Sequence, residues 1–271
     1  MRIACLFDGA GLARLGLEQA GHDVTGFELD PVKHYLGKMV GRGDSILQDA
    51  TTVDLSGFDG VWASPPCQLR SSARTQGNPV SEYSGDYLNW CLNLPADILW
   101  VENIFSQKIS DNSWGKAWNA AQFEAKPRQN RNRVVGGRYL DPDTFYPYRR
   151  SFPGICLCVL ATEYKGHSSD GRRAAKFYGR RLELNEVAYH MGIRMPAGWM
   201  TPPPFWTNTR RRWDYALYEA LGNGVVVQMA RAFGLKYAPS HPVDPSSWDE
   251  PQMPDTTRDL LKKGKRSIFV E

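Results

Sequence analysis

MRIACLFDGAGLARLGLEQAGHDVTGFELD, residues 1–30, decides the fold. RIACLF (2–7) is a short apolar run closed by Asp8-Gly9, and LARLGLEQAG then places leucines and alanines at helical spacing until Gly21 stops it. DVTGFELD (23–30) predicts a second strand. Strand, glycine turn, helix and strand in this order open an α/β fold built on a parallel sheet.

Two later runs extend the same sheet. GVWAS (60–64) and DILWVEN (97–103) are buried-type strands, each ending in polar residues. Ligands of open α/β sheets bind beyond the carboxyl ends of the strands, so those polar residues are the candidates for a site. After about residue 134 the pattern changes to an irregular mixture of Arg, Gly, Pro and aromatic residues that runs to about 181. LELNEVAYHMGI is then helical, TPPPFW is a stiff proline loop, and WDYALYEALGNGVVVQMARAFGL predicts two helices broken at Gly222-Asn223-Gly224. The chain beyond about Tyr237 is rich in Pro, Asp, Ser and Lys and reads as an extended arm.

Composition narrows the classes. The 271 residues are 42% hydrophobic and 23% charged, the balance of an ordinary globular chain, with no apolar run long enough to span a bilayer. The amino terminus lacks the layout of a secretory signal, so an intracellular, cytoplasmic location is expected. Five cysteines, with no C-x-x-C pair, make a disulfide framework or a metal site an unlikely design. Cys156 and Cys158 are expected to be buried on one face of a strand. Net charge is only +4, but arginines gather in PRQNRNRVVGGR, YRR, DGRRAAKFYGRR and NTRRRWDY, often beside aromatic residues. That mixture suits phosphate contact and base stacking, and makes nucleic acid the leading partner class.

Several residues carry chemistry on their own terms. Gly9 and Gly11 let the backbone of the first turn pass close to a ligand, while Arg14 stands where a dinucleotide fingerprint wants a third glycine, which disfavours NAD. Glu28 closes the second strand, where a carboxylate can accept both ribose hydroxyls of a nucleoside cofactor. Asp49 follows a short third strand and can accept an adenine amino group. An acid at either place equally well caps a helix. In WASPPCQ the prolines stiffen the approach to Cys67 and fix its direction, as a nucleophile that must meet one carbon atom requires. Glu102 and Asn103 end the next buried strand, and parallel neighbours would bring them beside Cys67. Gln129, Arg131 and Arg133 alternate in RQNRNR and share one face of an extended segment.

Taken in order, these stretches resemble the cytosine-C5 methyltransferase family. The family pattern is F-x-G-x-G, an acid closing the second strand, an aspartate after the third, P-C-Q, E-N-V, Q-x-R-x-R and G-N-x-V. It stands here as FDGAG (7–11), Glu28, Asp49, PCQ (66–68), ENI (102–104), QNRNR (129–133) and GNGV (222–225), spanning about residues 1–236. The resemblance implies a Rossmann-like S-adenosylmethionine-dependent sheet and methyl transfer to carbon 5 of cytosine in double-stranded DNA by a monomer. Cys67 would be the thiolate that adds to carbon 6, Glu102 would hold N3 and the exocyclic amine, and Arg133 would steady that carboxylate and the base carbonyl, with Arg131 near the thiol or backbone. S-adenosylmethionine would lie against Phe7, Asp8, Gly9, Gly11, Glu28, Leu29, Asp49, Ala50, Pro65, Asn223 and Val225. Gln68, Arg70, Ser71 and Gln129 would contact DNA, the first three in a loop, QLRSSARTQGNP, placed to close over a base rotated out of the duplex.

The sequence also departs from the family. Ile104 replaces a valine, Pro65 stands where phenylalanine is common, and Gly224 replaces a serine. Only about fifty residues separate Arg133 from the helix near Leu182, where the family carries a longer target-recognition domain. The expected layout is therefore a catalytic and cofactor-binding part (1–134), a reduced target-recognition region (135–181), a return to the catalytic part (182–238) and a tail (239–271). A reduced region implies a short or relaxed target, and compact members of this kind resemble virus-encoded modification enzymes. Two other readings compete. A pyrimidine hydroxymethylase also attacks carbon 6 with a cysteine but uses folate, against which the glycine turn and Glu28 speak. A non-catalytic DNA-binding relative would have no need of Cys67, Glu102 and Arg133 together.

Overall fold

The computed structural model describes residues 1–67, 87–105, 114–124, 128–153, 155–156, 158–161, 178, 180–207, 212–237 and 251–255. Seven strands form one sheet: β1 (Arg2–Leu6), β2 (Asp23–Glu28), β3 (Ser45–Leu47), β4 (Gly60–Ala63), β5 (Ile98–Ile104), β6 (Lys116–Asn119) and β7 (Asn132–Arg138). Their order is β3-β2-β1-β4-β5-β7-β6. The first five run parallel, whereas β7 is antiparallel to both β5 and β6. The chain order reverses between β1 and β4, and a crevice opens at such a switch point beyond the carboxyl ends of the strands.

Both faces of the sheet are covered, and the alternation of each strand shows it. Ile3, Cys5, Trp62 and Trp100 join one core, with helices α1 (Leu12–Gln19), α4 (Leu184–Met191), α5 (Trp213–Asn223) and α6 (Val227–Gly234). Ala4, Leu6, Val61, Ala63, Leu99 and Val101 join the other, against α3 (Tyr87–Leu92). Helix α2 (Pro31–Gly37), with Asp30 accepting from the amides of Val32 and Lys33 as its cap, follows β2. α1 and α6 cross closely because Gly16 has no side chain: a Cβ there would sit 2.3 Å from the Val227 carbonyl oxygen.

Strands β1 to β5 and helices α1, α4, α5 and α6 fall where periodicity places them, and the break between α5 and α6 lies at Gly224–Val226. The antiparallel end of the sheet was not expected. β7 also continues to Arg138, so the sheet extends past the expected boundary at 134. Cys156 is buried, but no strand forms around it and Cys158 among the described residues. The reason is local: Asn130 takes the Cys156 carbonyl as a backbone acceptor at 2.7 Å, and Gln129 Oε1 accepts from the Val159 amide at 3.1 Å. No helix among the described residues is long and apolar enough to cross a membrane.

Candidate active site

One cleft lies beyond the carboxyl ends of the central strands. Its walls include Phe7, Asp8, Gly9 and Glu28 on one side and Pro65, Cys67, Glu102 and Arg133 on the other, with Asn223 and Val225 closing it from the α5–α6 break. Residues named for cofactor binding and for catalysis thus share a single space.

The β1 side is built by glycine and a buried ion network. Gly9 (φ 60°) adopts a left-handed conformation that favours glycine, and a Cβ there would meet nothing within 4 Å, so the turn leaves open space at its back. Phe7 is also left-handed (φ 58°), a strained state for a residue with a side chain. It is held by the Asp8 amide, which donates to the Phe27 carbonyl at 3.0 Å, and by edge contacts to Tyr87 and Trp90. Glu28 accepts the Gly9 amide on Oε2 and the Asp30 amide on Oε1, both at 2.8 Å. Each carboxylate oxygen keeps a further lone pair, the arrangement a vicinal diol can bridge.

Arg14, read from sequence only as a missing glycine, organises this turn from below. It is completely buried, and its guanidinium binds Asp8 Oδ2 (3.0 Å), Glu18 Oε1 (3.1 Å) and the carbonyls of Gly43 (2.7 Å) and Gly37 (2.6 Å). Glycine makes room for it: a Cβ on Gly26 would lie 2.2 Å from Asp8 Oδ2, and one on Gly11 would lie 2.7 Å from Arg14 Nη2. Burial pushes the Asp8 carboxyl up and the neighbouring guanidinium opposes it. The signal in the sequence was Arg14 and Glu18 four apart on a helix beside unexplained glycines.

Gly11, Leu29, Asp49 and Ala50 stand outside the described walls of the cleft. Gly11 caps α1 in the left-handed conformation, and Leu29 is 52% exposed at the end of β2. Asp49 caps a short 3-10 helix, its Oδ1 accepting from the amide and hydroxyl of Thr51 at 2.9 Å each, and Ala50 packs into the second core.

On the other side, Pro65 is buried and its carbonyl accepts from Asn103 Nδ2 at 3.0 Å, while Asn103 Oδ1 takes the Ile104 amide at 2.9 Å. The amide of the ENI stretch therefore fixes the turn that carries Cys67. Glu102 pairs in register with Val135, and Arg133 with Ile104, which sets Glu102 and Arg133 diagonally across β5 and β7. Arg133 Nε reaches Glu102 Oε1 at 2.7 Å and Nη1 donates to the Asn132 carbonyl at 2.8 Å. Burial pushes the Cys67 thiol up; Arg133 pulls it down, and Glu102 adds to the rise.

Gln129, Arg131 and Arg133 are all buried, and of the three only Arg133 lines the cleft. Gln129, expected on DNA, is 1% exposed: its Nε2 donates to the His190 carbonyl at 2.6 Å and its Oε1 is taken by Val159. It clamps α4 to the chain near residue 159, because a buried amide must satisfy both ends within the protein. Arg131, expected among the catalytic residues, is equally buried and stands behind the cleft wall, not among the residues that line it. It donates to the carbonyls of Val159 (2.6 Å), Gly222 (2.8 Å) and Gly224 (2.8 Å), with the Cys158 sulfur at 3.3 Å. Burial, with the like charge of Arg133 adding to it, brings its pKa down to about 10, so the guanidinium stays charged at neutral pH. It holds the α5–α6 break against the cleft. Gln68, Arg70 and Ser71, with the loop that follows Cys67, lie outside the described residues.

No family model matches the chain, and no curated protein does. Solved structures do resemble it. A mutant form of Spodoptera frugiperda DNMT2 is 14% identical over 85% of this chain and 97% of its own, with a TM-score of 0.55. The Entamoeba histolytica methyltransferase EhMeth is 11% identical over 86% and 96%, with a TM-score of 0.53. The Dnmt2 methyltransferase of S. pombe is 14% identical over 87% and 97%, with a TM-score of 0.52. At these identities the likeness concerns architecture, and it runs almost the full length of each chain: the protein has the Rossmann-like fold of these methyltransferases, a seven-stranded mixed sheet with helices on both faces.

Proposed function

We propose that the protein is a DNA cytosine-C5 methyltransferase that uses S-adenosylmethionine. The observation that carries this reading is the single cleft in which the Glu28 and Gly9 cradle opens onto Cys67 and the Glu102–Arg133 pair. Two of the similar proteins, EhMeth of Entamoeba histolytica and Dnmt2 of S. pombe, are named as methyltransferases, which supports the same reaction class.

The cradle fits the nucleoside end of the cofactor: Glu28 offers acceptors to the ribose hydroxyls, and Gly9 leaves the backbone bare where the ligand would pass. When bound, S-adenosylmethionine supplies a methyl group on a positively charged sulfur. The residues of the chain prepare the acceptor. Carbon 5 of cytosine is a poor nucleophile, so the Cys67 thiolate adds to carbon 6 and its electron pair raises the electron density at carbon 5. Glu102 accepts from the exocyclic amine and holds N3 through a proton shared between them, where charge changes during addition, and Arg133 keeps that side chain in place at 2.7 Å. After alkylation a base removes the carbon-5 proton, the sulfur to carbon-6 bond breaks, and the thiolate is restored. The target carbon is inaccessible inside a duplex, so the base is rotated into the cleft at a cost of a few kcal/mol. Regions 135–181 and 239–271 supply target recognition and an arm in this reading.

Covalent trapping tests the proposal. Incubated with a library of DNA bearing 5-fluorocytosine and with S-adenosylmethionine, the protein should form a denaturation-resistant adduct, whose sequencing gives the target. Absence of any adduct, with cofactor bound, would overturn the mechanism. A second test separates the cradle from the chemistry. Glu28→Ala should weaken cofactor affinity by about 10- to 100-fold, the loss of one or two charge-assisted hydrogen bonds, well before it alters DNA binding. Unchanged affinity by calorimetry would remove Glu28 from the cofactor site.

A further inference from the structure

The even positions of RQNRNR build something that the proposed chemistry does not use. Asn132 precedes Arg133 on β7 and pairs with Asn119 on β6. Together with Asn130 and Gln122 these side chains grip the backbone of an irregular strap from Phe145 to Phe152. Asn119 Nδ2 donates to the Arg149 carbonyl at 2.9 Å, and Asn132 Nδ2 donates to that of Arg150 at 3.0 Å. Asn130 accepts the Phe152 amide at 2.7 Å and donates to its carbonyl at 3.0 Å. Gln122 donates to the Tyr146 carbonyl at 3.3 Å. Asn119, Gln122 and Asn130 are 0%, 2% and 5% exposed, so three buried amides are committed to one surface segment without regular structure.

Because the grip is on the backbone, the side chains between the packed Tyr146–Phe152 rings are left free to face outward. Phe145 is 66% exposed, Tyr148 is 41% exposed, and Arg149 and Arg150 are exposed. Among the described residues neither guanidinium has an acidic partner. The nearest acids in sequence are already engaged, Asp141 by Lys116 and Asp143 by Lys236.

We propose that this strap is a contact surface for the sugar-phosphate backbone of the nucleic acid whose base enters the cleft. The inference rests on the reading of the cleft given above. Two guanidiniums with no acidic partner among the described residues, beside exposed rings, match phosphate oxygens in charge and in fork geometry. The strap is fixed before binding, which cuts the ordering cost of an irregular segment. It is also anchored on Asn132 at the start of β7, so the strap and the Glu102–Arg133 pair lie at the same end of that strand, on its opposite faces, where one bound duplex can touch both. Contacts to phosphate position a duplex without reading its sequence, which suits a chain with little room for base readout.

The test uses the full chain with Arg149→Gln/Arg150→Gln and a fluorescent duplex of mixed sequence titrated at several salt concentrations. The variant should bind roughly tenfold or more weakly at 0.1 M salt, and the slope of log affinity against log salt should fall by about 1.8, the value for two lost phosphate contacts. Cofactor affinity by calorimetry should be unchanged, which checks that the cradle is intact. If wild type binds duplex and forms the 5-fluorocytosine adduct while the variant shows the same affinity and slope, the strap is excluded and the cleft reading stands. If wild type binds no nucleic acid, both fall. If the variant loses binding to an acidic polyglutamate peptide but not to DNA, the surface serves a protein and the proposal is overturned.

Discussion

Cys67→Ser should abolish methyl transfer, lowering single-turnover rate by at least about a thousandfold, while cofactor affinity stays within twofold of wild type. The two readouts separate because different elements carry them. Cys67 is set by the Pro65–Pro66 turn after β4 and by the Asn103 bond to Pro65, whereas the Glu28–Gly9 bond ties β2 to the β1 turn. Serine preserves the shape of the turn but not the nucleophile, since a hydroxyl has no accessible oxyanion at neutral pH. The thiol itself is pushed above its ordinary value by burial, so thiolate is the minor form near neutrality. The wild-type single-turnover rate should consequently rise from neutral to alkaline pH, and the serine variant should show no such limb. Transfer by Cys67→Ser at the parental rate would remove this sulfur from the mechanism altogether.

How much of this was legible before the fold was known depends on what each residue's neighbours are. Strands β1, β2, β4 and β5 carried their signal locally, in apolar runs ended by Asp8, Glu28, Ser64 and Glu102, and the switch-point rule placed those ends together. The Glu102–Arg133 pair was legible only through motif order, because it needs the antiparallel return of β7 that no local pattern announces. Arg14 was only partly legible: Glu18 four residues on is a visible partner, but Asp8 comes from across the turn and the carbonyls of Gly37 and Gly43 leave no trace in residue types. Gln129 was legible to the same limit. Alternation suggests one face shared with Arg131 and Arg133, but where each side chain ends is a matter of packing against α4 and the α5–α6 break. The complementary face, Asn130 and Asn132, drew no notice because asparagine in a polar run reads as solvated chain.

That division of one strand predicts opposite fates for its two arginines. Arg131→Met should lower stability by about 3 kcal/mol or more, seen as a shifted urea midpoint, because the carbonyls of Val159 and Gly222 would stay buried without this donor and the half-buried one of Gly224 would lose its partner. Methionine fills the volume, so the loss reports polar satisfaction and not a cavity. Gly222 cannot relax to compensate, since its backbone lies so close to the chain at Leu160 and Ala161 that a Cβ there would sit 2.1 Å from the Ala161 amide nitrogen. Arg133→Met should behave in reverse. Its partner Glu102 lines an open cleft and can be rehydrated, so stability should change by only about 1 kcal/mol, while turnover falls by at least about a hundredfold as the carboxylate loses its fixed orientation. Purified protein measured by urea denaturation and by single-turnover transfer distinguishes the cases. An Arg131→Met protein as stable as wild type yet inactive would place that guanidinium in the chemistry and refute its assignment to the frame.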